Sequence, residues 1–180
     1  ASRYTQRKRW QATRERPRLR GSITTMGRPR RAQAMMYIIS ILTFLFDQLT
    51  KWYVQQHFRL GESVPVIPDV FHWTYIVNHG AAFGMLMHQR WILLLVVVLL
   101  LTAMYIGRKK LATAPVYARI GTGTLLGGAL GNAWDRLYLG GVVDFFDFRV
   151  WPIFNIADIA ICIGVPLLIL YFWSCESKNT

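Results

Sequence analysis

VVDFFDFRVWPIFNIADIAICIG, residues 142–164, sets Asp144, Asp147, Asn155 and Asp158 into a run that is otherwise almost entirely aromatic and aliphatic. A soluble core does not bury carboxylates at this density, and a membrane helix avoids them unless they are paired or functional. The run therefore reads as a turn at the edge of a membrane, leading into an apolar helix. Polar groups there need a reason.

The rest of the chain supports a membrane setting. Of 180 residues, 53% are hydrophobic and only 17% charged, with a mean hydropathy of +0.28, too apolar for an ordinary soluble domain. By length it is one domain. The net charge of +12 first suggests nucleic acid, but residues 1–34 hold 11 of the 21 Lys and Arg against a single acid, Glu15. The basicity belongs to this arm, which is predicted to be disordered and cytoplasmic and to touch anionic headgroups. Basic residues beside a membrane segment have that simpler cause, so no nucleic-acid partner is expected. Cys162 and Cys175 have no CxxC spacing and no histidine beside them, and read as small apolar fillers.

Four apolar segments follow the arm: residues 35–54, 91–107, 116–139 and 153–173. Each is close to the ~20 residues that carry a helix across a bilayer, and their ends are aromatic. Arg28, Arg30 and Arg31 precede the first, and Arg108, Lys109, Lys110 and Arg119 surround the 107–115 connection. The stretches 55–90 and 140–152 are poorer in Lys and Arg, so both termini and that connection are expected in the cytoplasm. The predicted fold is mainly α: a four-helix transmembrane domain over 35–175, with a short cytoplasmic tail, 176–180. The outer loop 55–90 contains a β-prone FHWTYIV run and is expected to form a small extracytoplasmic β cradle between helices one and two. Gly123, Gly127 and Gly131 form a doubled GxxxG ridge for close helix packing.

Placed on this topology, the polar residues converge. Asp47 and Lys51 share a helix face at i,i+4 and are expected to pair, and Asp135 and Arg136 are read as neutralising one another. Asn132 and Arg136 lie near the outer end of helix three, Asn155 and Asp158 near that of helix four, and Asp144 in the loop between. Four segments thus deliver ionisable groups to one depth on one side. Two carboxylates in a partly dry pocket can share a proton, so that one acts as base on water and the other as acid. On spacing alone Asp147 is as eligible a partner as Asp144. A Ser63/His57 pair lacks a third member, and His57, His72, His79 and His88 give no ligand spacing, so no metal or cofactor is expected.

DQLTKWYV (47–54), NHGAAFG (78–84), GGALGNAWDR (127–136), VVDFFDF (142–148) and FNIAD (154–158) resemble, in order, the signature blocks of lipoprotein signal peptidase, or signal peptidase II. The resemblance covers about residues 35–173. It implies a multi-pass aspartic endopeptidase of the bacterial inner membrane that acts near the outer face; a monomer is expected. The implied partners are membrane lipid and a diacylglyceryl-modified prolipoprotein, cut just before the lipobox cysteine. Asp144 and Asp158 match the family's catalytic aspartates, which lowers Asp147 to a loop residue. Asn132, Arg136, Asn155, Asn78, Gly80, Asp47 and Lys51 match positions read as supporting the site or positioning substrate. The rival readings are a proton-coupled carrier using intramembrane aspartates and a non-catalytic membrane scaffold. A carrier's relay should place ionisable groups at several depths.

Overall fold

The computed structural model describes residues 27–80, 86 and 88–177. Most of the expected arm (1–26), part of NHGAAFG (81–84) and residues 85, 87 and 178–180 lie outside the described residues. Four helices, α1 (Gly27–His57), α2 (Arg90–Thr113), α3 (Val116–Tyr138) and α4 (Ile156–Glu176), carry a three-stranded sheet. Its strands are β1 (Ser63–Ile67), β2 (Phe71–Asn78) and β3 (Val142–Asp147), in spatial order β1-β2-β3 and antiparallel throughout.

Three stretches, Gln33–His57, Arg90–Thr113 and Ile156–Glu176, are helical, long and apolar enough to cross a membrane. α3 is less apolar because it packs against the other three helices. Its face toward α1 is built from the glycine ridge. A Cβ at Gly127 would lie 2.6 Å from the Ser40 carbonyl oxygen, and one at Gly131 would collide with the Asp47 carboxylate. On the opposite side a Cβ at Gly128 would lie 2.5 Å from the Ala157 carbonyl of α4. The absence of side chains lets both backbones approach α3. α1 answers with one buried stripe: Met36, Ser40, Asp47, Lys51 and Val54, at helical spacing.

Boundaries differ from expectation at several helix ends. α1 starts at Gly27, so residues 27–34 are helical. Arg108, Lys109 and Lys110 lie on the last turns of α2, and the α2–α3 connection shrinks to Ala114 and Pro115. Proline pushes the preceding residue out of the helical region, and Ala114 is accordingly extended at ψ 162°. α4 starts at Ile156, because Asn155 caps it: its side chain accepts the Asp158 N–H while the Asp158 carboxylate accepts the Asn155 N–H.

The cradle also differs. The 55–90 stretch supplies β1 and β2, but the third strand comes from the α3–α4 connection, which was expected to be a tight loop. Val142–Asp147 is buried on both faces, with only Phe146 partly exposed, and it pairs along β2. Val143 and Phe145 are fully buried beneath the sheet, with Trp73 stacked on Phe145 at 5.5 Å between centroids. β3 pairs with β2 through Ile76↔Asp144 and Asn78↔Val142, so Asn78 lies diagonal to Asp144.

Candidate active site

Asp144 is almost fully buried, at 2% exposure, in the middle of β3. One of its oxygens accepts from Asn155 Nδ2 at 2.6 Å and the other from Asn78 Nδ2 at 3.0 Å. Asp158, in the first turn of α4, accepts from Asn132 Nδ2 at 2.8 Å and from the Asn155 backbone N–H at 3.2 Å. Asn155 therefore links the two aspartates directly, donating from its amide to one and bonding both ways with the other. Its amide nitrogen also reaches the Asn132 and Val143 oxygens at 3.2 Å each.

Both aspartates line a cavity of about 620 Å³, together with Asn78, Gly80, Asn132 and Arg136. Its remaining walls are apolar: Trp151 to Phe154 at one end, then Ile159, Cys162 and Ile163 along α4. Cys162 is thus exposed on the cavity wall and not a packed filler. Burial is the main cause that raises the Asp144 carboxyl to about 7, and the negative charge of Asp158 raises it further. A carboxyl in this range can hold a proton at neutral pH and release it.

Behind the dyad lies a charged knot. Lys51 Nζ donates to Asp47 at 2.8 Å, Asp135 at 2.9 Å and Asn132 Oδ1 at 3.0 Å, so its three N–H groups are all satisfied at 1% exposure. The Asp47–Lys51 pair thus forms as its spacing predicts. The expected Asp135–Arg136 neutralisation does not, because Asp135 turns inward to Lys51. The other oxygens of the knot hold the site elements: Asp47 accepts the Ala157 N–H of α4 at 2.8 Å, and Asp135 accepts the Val143 N–H of β3 at 3.1 Å. Gln48 adds hydrogen bonds to Asp47 and Asp135. Sequence reading took Asp135 only as a partner for Arg136 and assigned no role to Gln48. The available signal was that Asp135 follows Asn132 by three residues, on the same side of α3.

Arg136 donates to the carbonyls of Asn132 and Gly80, at 3.2 and 3.1 Å, and Gly80 N–H bonds Asn78 Oδ1 at 2.9 Å. The segment after β2 is so tied to α3 at the cavity mouth. Eight of the nine residues singled out from the sequence fall into this cavity or the knot behind it, and the ninth, Asn155, is fully buried between the two aspartates. Asp147 lies in neither place. It ends β3, accepting from Thr74 at 2.8 Å and pairing with Arg149 at 3.0 Å. Burial alone would raise its carboxyl, but these donors and the Arg149 charge hold it below the usual carboxylate range. Ser63 meets His72 at 3.1 Å while His57 bonds the Tyr53 carbonyl, so the Ser63/His57 pair does not exist.

Three apolar helices long enough to cross a membrane and a cavity lined by two aspartates at the sheet end are compatible with a membrane protein that has two carboxylates placed for acid–base work. The family described as signal peptidase (SPase) II matches residues 39–174. A lipoprotein signal peptidase of Halothermothrix orenii is 43% identical over 142 residues, covering 79% of this chain and 97% of that one. One from Pelotomaculum thermopropionicum is 46% identical, covering 74% and 88%. A solved bacterial membrane enzyme superposes with a TM-score of 0.73 at 32% identity, covering 82% of this chain and 92% of its own. The chain belongs to the signal peptidase II family.

Proposed function

We propose that the chain is an intramembrane aspartic endopeptidase that removes the signal peptide from diacylglyceryl-modified prolipoproteins, just before the lipobox cysteine. The observation that carries this reading is the Asn155-linked pair Asp144 and Asp158 on one cavity whose walls along α4 and at Trp151–Phe154 are apolar. Asp144, the buried member with its carboxyl near 7, starts protonated. Asp158 takes a proton from water, the hydroxide oxygen attacks the scissile carbonyl carbon, and Asp144 protonates the carbonyl oxygen. As the tetrahedral intermediate collapses, Asp158 protonates the departing amine and Asp144 takes a proton back from the diol, which restores the starting dyad. Asn132, Asn155 and Asn78 hold the two carboxylates. Arg136 and Gly80 fix the rim where an extended peptide would lie.

In this reading all four helices of the 35–175 domain span the inner membrane, α3 included, because its polar residues face its neighbours and the cavity. The termini are cytoplasmic and the sheet lies at the outer face, as the Lys/Arg distribution favours. The enzyme acts as a monomer on a substrate arriving sideways from the bilayer, since acyl chains and an apolar signal helix leave lipid at high cost. The 55–90 stretch covers it as a lid. The buried charged residues Asp47, Lys51, Asp135, Asp144 and Asp147 all belong to the sheet end, which favours a site over a relay through the membrane.

The test is a gel-shift assay of the purified full chain with a prolipoprotein, with and without prior diacylglyceryl transfer. Cleavage of the lipidated precursor alone is expected. Equal cleavage of an unlipidated precursor, or none of either, would contradict the assignment.

A further inference from the structure

A second cavity system lies away from the dyad and shares no residue with its cavity. A cleft of about 220 Å³ opens between α1 and α2, floored by Thr122, Leu126 and Leu130 of α3. A further cleft of about 260 Å³ continues from it past Phe44, Trp134 and Leu137, sharing Ser40 and Leu130 with the first. From Thr122 to Leu137 the α3 floor runs roughly 22 Å at ~1.5 Å per residue, the scale of a fatty-acyl chain. The groove exists because α2 makes its buried contacts, Met104, Leu111 and Ala112, only in its second half.

One end of this apolar groove is basic. Arg108 lines it, half-buried, with its guanidinium stacked 3.9 Å from the Tyr105 centroid and one N–H bonded to the Tyr105 carbonyl at 2.7 Å. No acidic side chain pairs with Arg108 among the described residues. Lys109 and Lys110 follow it, exposed, and Arg30 and Arg31 are exposed about two turns beyond Tyr37 toward the same end of α1. An apolar slot of acyl length with a preorganised guanidinium at its mouth and further cations beside it complements one occupant: a phospholipid with an anionic headgroup.

We propose that the α1–α2–α3 groove is a binding site for an anionic membrane phospholipid, its phosphate at Arg108 and one acyl chain along Leu126, Leu130 and Trp134. Under the orientation proposed above, this lipid belongs to the cytoplasmic leaflet. The site packs the back of α3, whose other side carries Asn132 and Arg136.

Native mass spectrometry of the delipidated full chain, given equal dioleoyl phosphatidylglycerol and dioleoyl phosphatidylcholine, tests this. The chain is expected to retain one phosphatidylglycerol at least about fivefold over phosphatidylcholine. Arg108→Gln should bring the two to parity, and Leu130→Trp, which fills the groove, should remove the retained lipid. If Arg108→Gln does not insert, Arg108→Lys is measured, and it should keep the preference. Parity in the unaltered chain, an unchanged preference in Arg108→Gln, loss of preference in Arg108→Lys, or a second copy bound in place of lipid would overturn the site. Retention is read by mass, so it stands or falls apart from any cleavage of a prolipoprotein.

Discussion

Asn155 Nδ2 lies 2.6 Å from an oxygen of Asp144 while Asn155 Oδ1 accepts the backbone N–H of Asp158 at 3.0 Å. One side chain thus caps a helix and fixes the spacing of two carboxylates from different elements. Asn155→Ala should cost about 1 kcal/mol from the lost cap alone, and more from the buried partners left unpaired. The cleavage rate should fall at least about tenfold with most of the protein still folded, the cost of ~1.4 kcal/mol in dyad alignment. Thermal unfolding in detergent beside initial rates separates the two effects. A variant with normal rate would show that Asn155 does not align the pair.

Lys51 compensates two buried carboxylates at once. Removing it in Lys51→Met leaves Asp47 and Asp135 buried and mutually repelling, an expected loss of about 3–5 kcal/mol. The combined variant Asp47→Asn, Lys51→Met, Asp135→Asn should regain most of that stability, since no lone charge remains. Unfolding midpoints of both proteins check this. Equal midpoints for the single and triple variants would contradict the charge argument.

The raised carboxyl of Asp144 gives the reaction a pH limit. Its folded value, about 7, lies above the ordinary 3.8, so the proton it carries is present at low pH and lost as pH rises through 7. The rate at saturating substrate should therefore fall as pH rises through and above 7, whereas the folded state should lose stability earlier, as pH rises from about 4 to 7. A rate profile from pH 5 to 9 measures the limb. A rate flat to pH 9 would remove Asp144 as the acid.

The close approach of α1 to α3 predicts a local penalty. Gly127→Ala sets a methyl 2.6 Å from the Ser40 carbonyl, which must move; a loss of about 1–3 kcal/mol is expected, with the dyad displaced through Lys51. Unfolding and activity should both fall. Full stability would mean that the helices are less tightly seated than described.

Much of this was legible in the sequence because the signals are local. Hydropathy located four helices, β-branched and aromatic residues located β2, and an i,i+4 spacing paired Asp47 with Lys51. Tertiary choices were not legible. Val142–Asp147 reads as a turn until β2 is available to pair with it. Asp135 has an adjacent arginine in sequence, yet α3 turns it toward Lys51 and sends Arg136 to the cavity. The preference for Asp144 over Asp147 came from family likeness, and burial against Asn155 now supplies a physical reason: Asp147 is occupied by Thr74 and Arg149.

The central claim is that Asp144 and Asp158 together perform the hydrolysis. The direct measurement is single-turnover cleavage of a diacylglyceryl-modified prolipoprotein by Asp144→Asn and Asp158→Asn, each confirmed as folded by its helical signal. Each substitution should abolish cleavage, a loss of at least about 1,000-fold, because neither half of the dyad can both accept and deliver a proton alone. Near-normal cleavage by either variant would contradict the dyad.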